Sequence, residues 1–103
     1  MLTGKVSVTT AATNLKTLLE ISGVVFPDSG NDKCSGIILQ LDPEEGTESV
    51  MVLSAGATEG PTLVNDTTFA KPSTIAFRVD AISRVFLKAS ANTPDVFVLV
   101  EHD

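Results

Sequence analysis

Thr74-Ile-Ala-Phe-Arg-Val79, Arg84-Val-Phe-Leu-Lys88 and Asp95-Val-Phe-Val-Leu-Val-Glu101 are three short apolar runs separated by turn-forming residues. The first alternates, with Ile75, Phe77 and Val79 on one face and Thr74, Ala76 and Arg78 on the other, as a strand with one buried side does. The last does not alternate. Val96, Val98 and Val100 line one face while Phe97 and Leu99 make the other apolar too, which predicts a strand covered on both sides.

Working outward, the upstream chain is shorter in its runs and more interrupted. Lys5-Val-Ser-Val-Thr-Thr10 alternates and predicts a first strand with Val6 and Val8 inward. Residues 1–10 are expected as an edge strand or an arm laid on a neighbour. Leu15, Leu18 and Leu19 fall at helical spacing behind Thr13, a candidate N-cap, and Gly23 closes the segment, so one short helix is expected near residues 14–21. Asp28 to Gly36 is rich in turn formers and predicts an exposed loop. Ile37-Ile-Leu-Gln-Leu41 and Ser49-Val-Met-Val-Leu53 flank Asp42-Pro-Glu-Glu-Gly46, which predicts a β-hairpin. Thr62-Leu-Val64 is a further short strand after the loop Ala55 to Pro61, and Lys71-Pro72 restricts the backbone before Thr74.

About seven or eight short strands with one helical turn predict a single all-β domain over residues 1–103, an antiparallel β-sandwich or small barrel of jelly-roll-like form. Parallel α/β organisation is excluded because no helices stand between successive strands to make crossovers. A core drawn from 43 % hydrophobic residues, with five Phe and neither Trp nor Tyr, must rest on Val, Leu and Ile. A chain of 103 residues builds one modest core, so partner subunits would add materially to its stability.

The formal charge of −6, from thirteen acidic against seven basic side chains, disfavours direct contact with nucleic acid or anionic membranes. No run approaches the roughly 18 apolar residues of a membrane span, and no signal-peptide pattern follows Met1. The expectation is a soluble protein made in a cytoplasm.

Groups able to do chemistry are few. His102 is the one histidine, and its place one residue from the terminus suits a surface side chain better than a catalytic base. Cys34 is the one cysteine, which excludes an internal disulfide and a thiolate metal cage. With only Lys33 nearby to lower its pKa, it reads as inert or packed rather than reactive. Asp42, Glu44, Glu45 and Glu48 lack the spacing of a calcium loop and read as a solvated hairpin tip. No phosphate-cradling glycine motif occurs, and Asn65-Asp-Thr67 carries no meaning as a sequon without secretion. No catalytic residue, metal or cofactor is expected. A small hydrolase is the least favoured function class, since it would have to use His102 or Cys34.

Arg78, Arg84 and Lys88 form the one local grouping of cations, with Arg84 and Lys88 expected to share a strand face with Phe86. If Val85, Leu87, Val96, Val98 and Val100 fill the sandwich, then Phe86, Phe97 and Leu99 need another cover. A neighbouring subunit, the N-terminal segment and the 55–72 loops are the candidates. These six residues, Phe86, Phe97, Leu99, Arg78, Arg84 and Lys88, are the expected interface with a neighbouring subunit.

Val6-Ser-Val-Thr-Thr10, Val79-Asp-Ala-Ile-Ser-Arg-Val-Phe-Leu-Lys-Ala89 and Asp95-Val-Phe-Val-Leu-Val-Glu101 together give a layout that resembles small β-rich structural proteins of tailed-bacteriophage virions. The resemblance implies a virion location and a non-enzymatic role as decoration, cement or auxiliary capsid protein. It also implies a homo-oligomer, trimer or pentamer, bound to the major capsid protein or another virion protein, with no catalytic residues. The rival from another class is a receptor- or glycan-binding head of a phage spike or fibre, weakened by the absence of Trp and Tyr for stacking on sugars.

Overall fold

The computed structural model describes residues 2–24, 33–42, 49–64 and 74–101. Among these, eight strands and one α-helix follow in the order β1 (Leu2–Ser7), β2 (Thr13–Asn14), α1 (Leu15–Ile21), β3 (Gly36–Leu41), β4 (Ser49–Ser54), β5 (Thr62–Val64), β6 (Thr74–Phe77), β7 (Val85–Ala89) and β8 (Asp95–Glu101). A 3₁₀ turn over Ile82–Arg84 leads into β7.

The strands form two four-stranded sheets, β1-β8-β3-β6 (sheet A) and β2-β7-β4-β5 (sheet B), with every pairing antiparallel. These two orders are those of a jelly roll, in which the chain passes back and forth between facing sheets. Among successive strands only β4 and β5 are neighbours in one sheet. The expected hairpin between 37–41 and 49–53 is therefore corrected: both strands form, but β3 pairs with β6 and β8 while β4 pairs with β5 and β7. A seven-residue turn-rich connection is long enough for either outcome, and the inward faces of the two strands decide between them. Leu39 from one sheet and Val50 and Val52 from the other are buried in the same core.

The late runs supply one central strand of each sheet. β8 lies between β1 and β3 in sheet A, and β7 between β2 and β4 in sheet B. Val96, Val98 and Val100 from sheet A and Val85, Leu87 and Ala89 from sheet B are all buried in the one core. β6 ends at Phe77 rather than Val79, and its inward residues Ile75 and Phe77 are only half-buried, because it is an edge strand. The first strand begins at Leu2 and ends at Ser7, ahead of the expected Lys5–Thr10, yet Val6 and Val8 both point inward as expected. It is an edge strand tied to β8 along its whole length.

Helix α1 covers the end of the sandwich beside β1. Its N-cap is Asn14 rather than Thr13: the Asn14 side chain accepts from the Lys16 N–H at 2.9 Å and donates to the Ser83 carbonyl at 2.6 Å. Leu15, Leu18 and Leu19 are its buried face. Gly23, at φ +94°, ends it in a Schellman motif, with Gly23 N–H bonded to Glu20 O at 3.1 Å and Val24 N–H to Leu19 O at 3.0 Å.

Cys34 corrects the loop expectation. It is buried in the core, and its Sγ donates to the Val79 carbonyl at 3.2 Å. Lys33 bridges to Ala81 and the Cys34 N–H bonds to Asp80 O, so the chain is already sheet-like before β3 begins. A turn-rich composition conceals this, because backbone pairing needs no apolar side chain.

Candidate contact surface

β8 places Phe97 and Leu99 on the outer face of sheet A, and register gathers their neighbours. One row across the sheet is Thr3, Leu99, Ile38 and Ala76; the next is Lys5, Phe97, Gln40 and Thr74. An apolar strip thus runs from Phe97 and Leu99 through Ile38 to Ala76. Phe97 is 41 % exposed, and Leu99 and Ile38 are half-buried. The expected cover over this side of β8 is absent among the described residues: its inner face is buried and its outer face is open.

The strip is hollowed at both ends. One hollow, of about 260 Å³, is lined by Thr3, Gly4, Gln40, Phe97 and Leu99; the other, of about 530 Å³, by Ser35, Gly36, Ala76, Arg78 and Glu101. Ile38 borders both. Such a surface receives protruding apolar side chains better than a flat one does.

Beside Phe97 stands a small charged network. The Lys5 ammonium lies 5.7 Å from the Phe97 ring centroid, 3.4 Å from Asp95 and 3.9 Å from Asp42. Ser7 Oγ donates to Asp95 at 2.8 Å, and the Asp42 N–H to the Asp95 carbonyl at 3.0 Å. Lys5 is half-exposed, so the ion pairs themselves contribute at most about 1 kcal/mol. Their effect is to hold one cation over the face of an aromatic ring.

The six expected interface residues do not form one surface. Phe86 and Lys88 lie on the outer face of sheet B, on the opposite side of the molecule from Phe97 and Leu99. That face has its own cover: Leu53, in register with Phe86, is buried although it lies outside the core, and Gly60 packs against it. Arg84 does not share a strand face with Phe86 and Lys88, because it sits in the 3₁₀ turn, paired with Asp80 at 3.1 Å. Arg78 and Arg84 both line a cleft of about 470 Å³ between the two sheets.

Ile38 and Ala76 are the contributors that sequence reasoning passed over. The signal was present, since Ile37-Ile38-Leu39 is apolar at successive positions just as β8 is. Ile21, 76 % exposed at the end of α1, had no such signal.

Among the described residues no group of three or more His, Cys, Asp or Glu could hold a metal ion. His102, Glu44, Glu45, Glu48 and the Asn65 sequon lie outside the described residues. No described helix is long and apolar enough to cross a membrane. No known protein family, curated protein or solved structure matches this chain.

Proposed function

We propose that this chain is a non-enzymatic structural protein of a virion, of the kind found in tailed bacteriophages, that self-associates and lies on the capsid lattice as a decoration, cement or auxiliary subunit. The observation that carries this reading is the apolar strip Phe97–Leu99–Ile38–Ala76 on the outer face of sheet A, over which no other element lies among the described residues. A side chain such as Phe97 gains little from partial exposure and gains on burial against a partner, so an open strip of this kind marks a contact. Jelly rolls serve capsids, lectins and enzymes alike, so the fold is compatible with the reading and does not select it.

On a lattice, each subunit contact can be weak. Repetition raises the effective concentration of every neighbouring contact, and the assembled layer holds where a single subunit would exchange. A charge of −6 keeps free subunits apart before they meet the shell.

Quantitative mass spectrometry of gradient-purified particles, from the virus whose genome encodes this chain, tests the role. The chain is expected at a fixed, lattice-scale ratio to the major capsid protein. Its absence from particles, with the chain present in infected cells, refutes a virion role.

A further inference from the structure

Sheet A has two outer edges, and they are not alike. The Asp42 N–H to Asp95 carbonyl bond fixes the pairing phase of β3 with β8, so Ile37 and Leu39 turn their backbone groups towards β6, where they meet Phe77 and Ile75. The N–H and C=O groups of Thr74 and Ala76 therefore point away from the sheet, where no strand pairs with them among the described residues. On the inner side of this edge, Ile75 and Phe77 line the cleft of about 470 Å³ and remain half-buried although they face the core.

At the other edge, the Val8 N–H bonds to Pro94 O, so the same phase logic leaves the backbone groups of Thr3, Lys5 and Ser7 free. Twofold pairing of β1 about its centre would set Lys5 against its own copy. An edge lysine is a device against such pairing, and β6 has none.

We propose that β6 pairs antiparallel with β6 of a second copy, about a twofold axis at Ala76. The strand is self-complementary in that register. Ala76 faces its equivalent, Thr74 faces the second copy's Arg78, and Ile75 faces the second copy's Phe77. No like charges are opposed: the two Arg78 side chains stand four residues apart along the pairing, about 13 Å at the strand rise, where salt screens them. The sheets join into one eight-stranded sheet, and the second copy's Ile75 and Phe77 wall the open cleft. A short edge contact belongs with weak interfaces, under about 1,200 Å² in total. The result is a dimer in place of the trimer or pentamer expected from sequence, and it goes beyond the virion role, because the pairing needs no capsid.

The test uses the full chain alone. Sedimentation equilibrium over about 1 µM to 1 mM, a span of roughly three decades in concentration, is expected to show monomer passing to dimer. Ala76→Pro removes a free-edge N–H without touching a bond to β3, and is expected to abolish the dimer with the β circular dichroism spectrum retained. The matching change on the other edge, Thr3→Pro, is expected to leave it. Ala76→Cys is expected to give a disulfide-linked dimer on mild oxidation, since paired residues of this kind stand about 5.5 Å apart, within disulfide reach; the native Cys34 is buried and does not compete. A monomer across the range, a trimer or pentamer, or a dimer that folded Ala76→Pro retains overturns the proposal. If Ala76→Pro does not fold, failure of Ala76→Cys to cross-link overturns it.

Discussion

Phe97→Asp separates the contact surface from the core. Phe97 is outside the buried core, and 41 % of it still faces water. With about 150–250 Å² on such a side chain, roughly 80 Å² remains to be covered, which at about 25 cal/mol per Å² gives about 2 kcal/mol per contact, or about 30-fold in affinity. Aspartate also places a carboxylate in the apolar strip, so the loss should exceed that figure. Within the monomer the change removes the cation–π contact from Lys5, about 0.5–1 kcal/mol at an exposed site. Binding of labelled protein to shells stripped of it should therefore fall by 30-fold or more, while the free chain, which also gives up the roughly 120 Å² of Phe97 already covered within it, should stay folded and lose up to about 3 kcal/mol of unfolding free energy in urea. Wild-type affinity in the variant refutes the assignment of this face. A variant chain that no longer folds refutes it as well, by showing that Phe97 belongs to the core.

Three further outcomes follow from the packing. Leu87→Ala, at a fully buried site on the central strand of sheet B, should cost about 2–5 kcal/mol in chemical denaturation. Gly60→Ala should cost about 1–3 kcal/mol, because its Cβ would fall on the Val52 carbonyl oxygen beside the Val52 N–H to Pro61 O bond; a neutral result would show that the 55–61 loop yields freely. Cys34 should react with a thiol reagent only at the rate of local or global opening, and far faster in denaturant, whereas immediate native labelling would contradict its burial.

The alternation of Ile75, Phe77 and Val79 and the double-sided apolarity of Val96 to Val100 made the strand content legible, and the Leu15, Leu18, Leu19 spacing made the helix legible. Sheet membership was not. Asp42-Pro-Glu-Glu-Gly46 carries turn chemistry that suits a hairpin and a sheet-crossing connection equally, and the choice is made by non-local pairing of β3 with β6 and β8 and of β4 with β5 and β7. Cys34 was misplaced for the same reason, since the backbone bonds from Lys33 and Cys34 to Ala81 and Asp80 leave no trace in side-chain hydropathy. Half of the candidate site was readable: Phe97 and Leu99 stood out because they broke alternation. Their separation from Phe86 and Lys88 required knowing that β7 and β8 lie in different sheets.

The most direct test of the outer face of sheet A as the capsid contact is a cryo-electron microscopy difference map between wild-type particles and particles made without this chain. The account predicts extra density on the shell that fits the two-sheet sandwich, with β8 and the Phe97–Ile38 strip turned towards the lattice. Identical maps, or density seated with the Phe86 face of sheet B on the lattice and sheet A open to solvent, would contradict it.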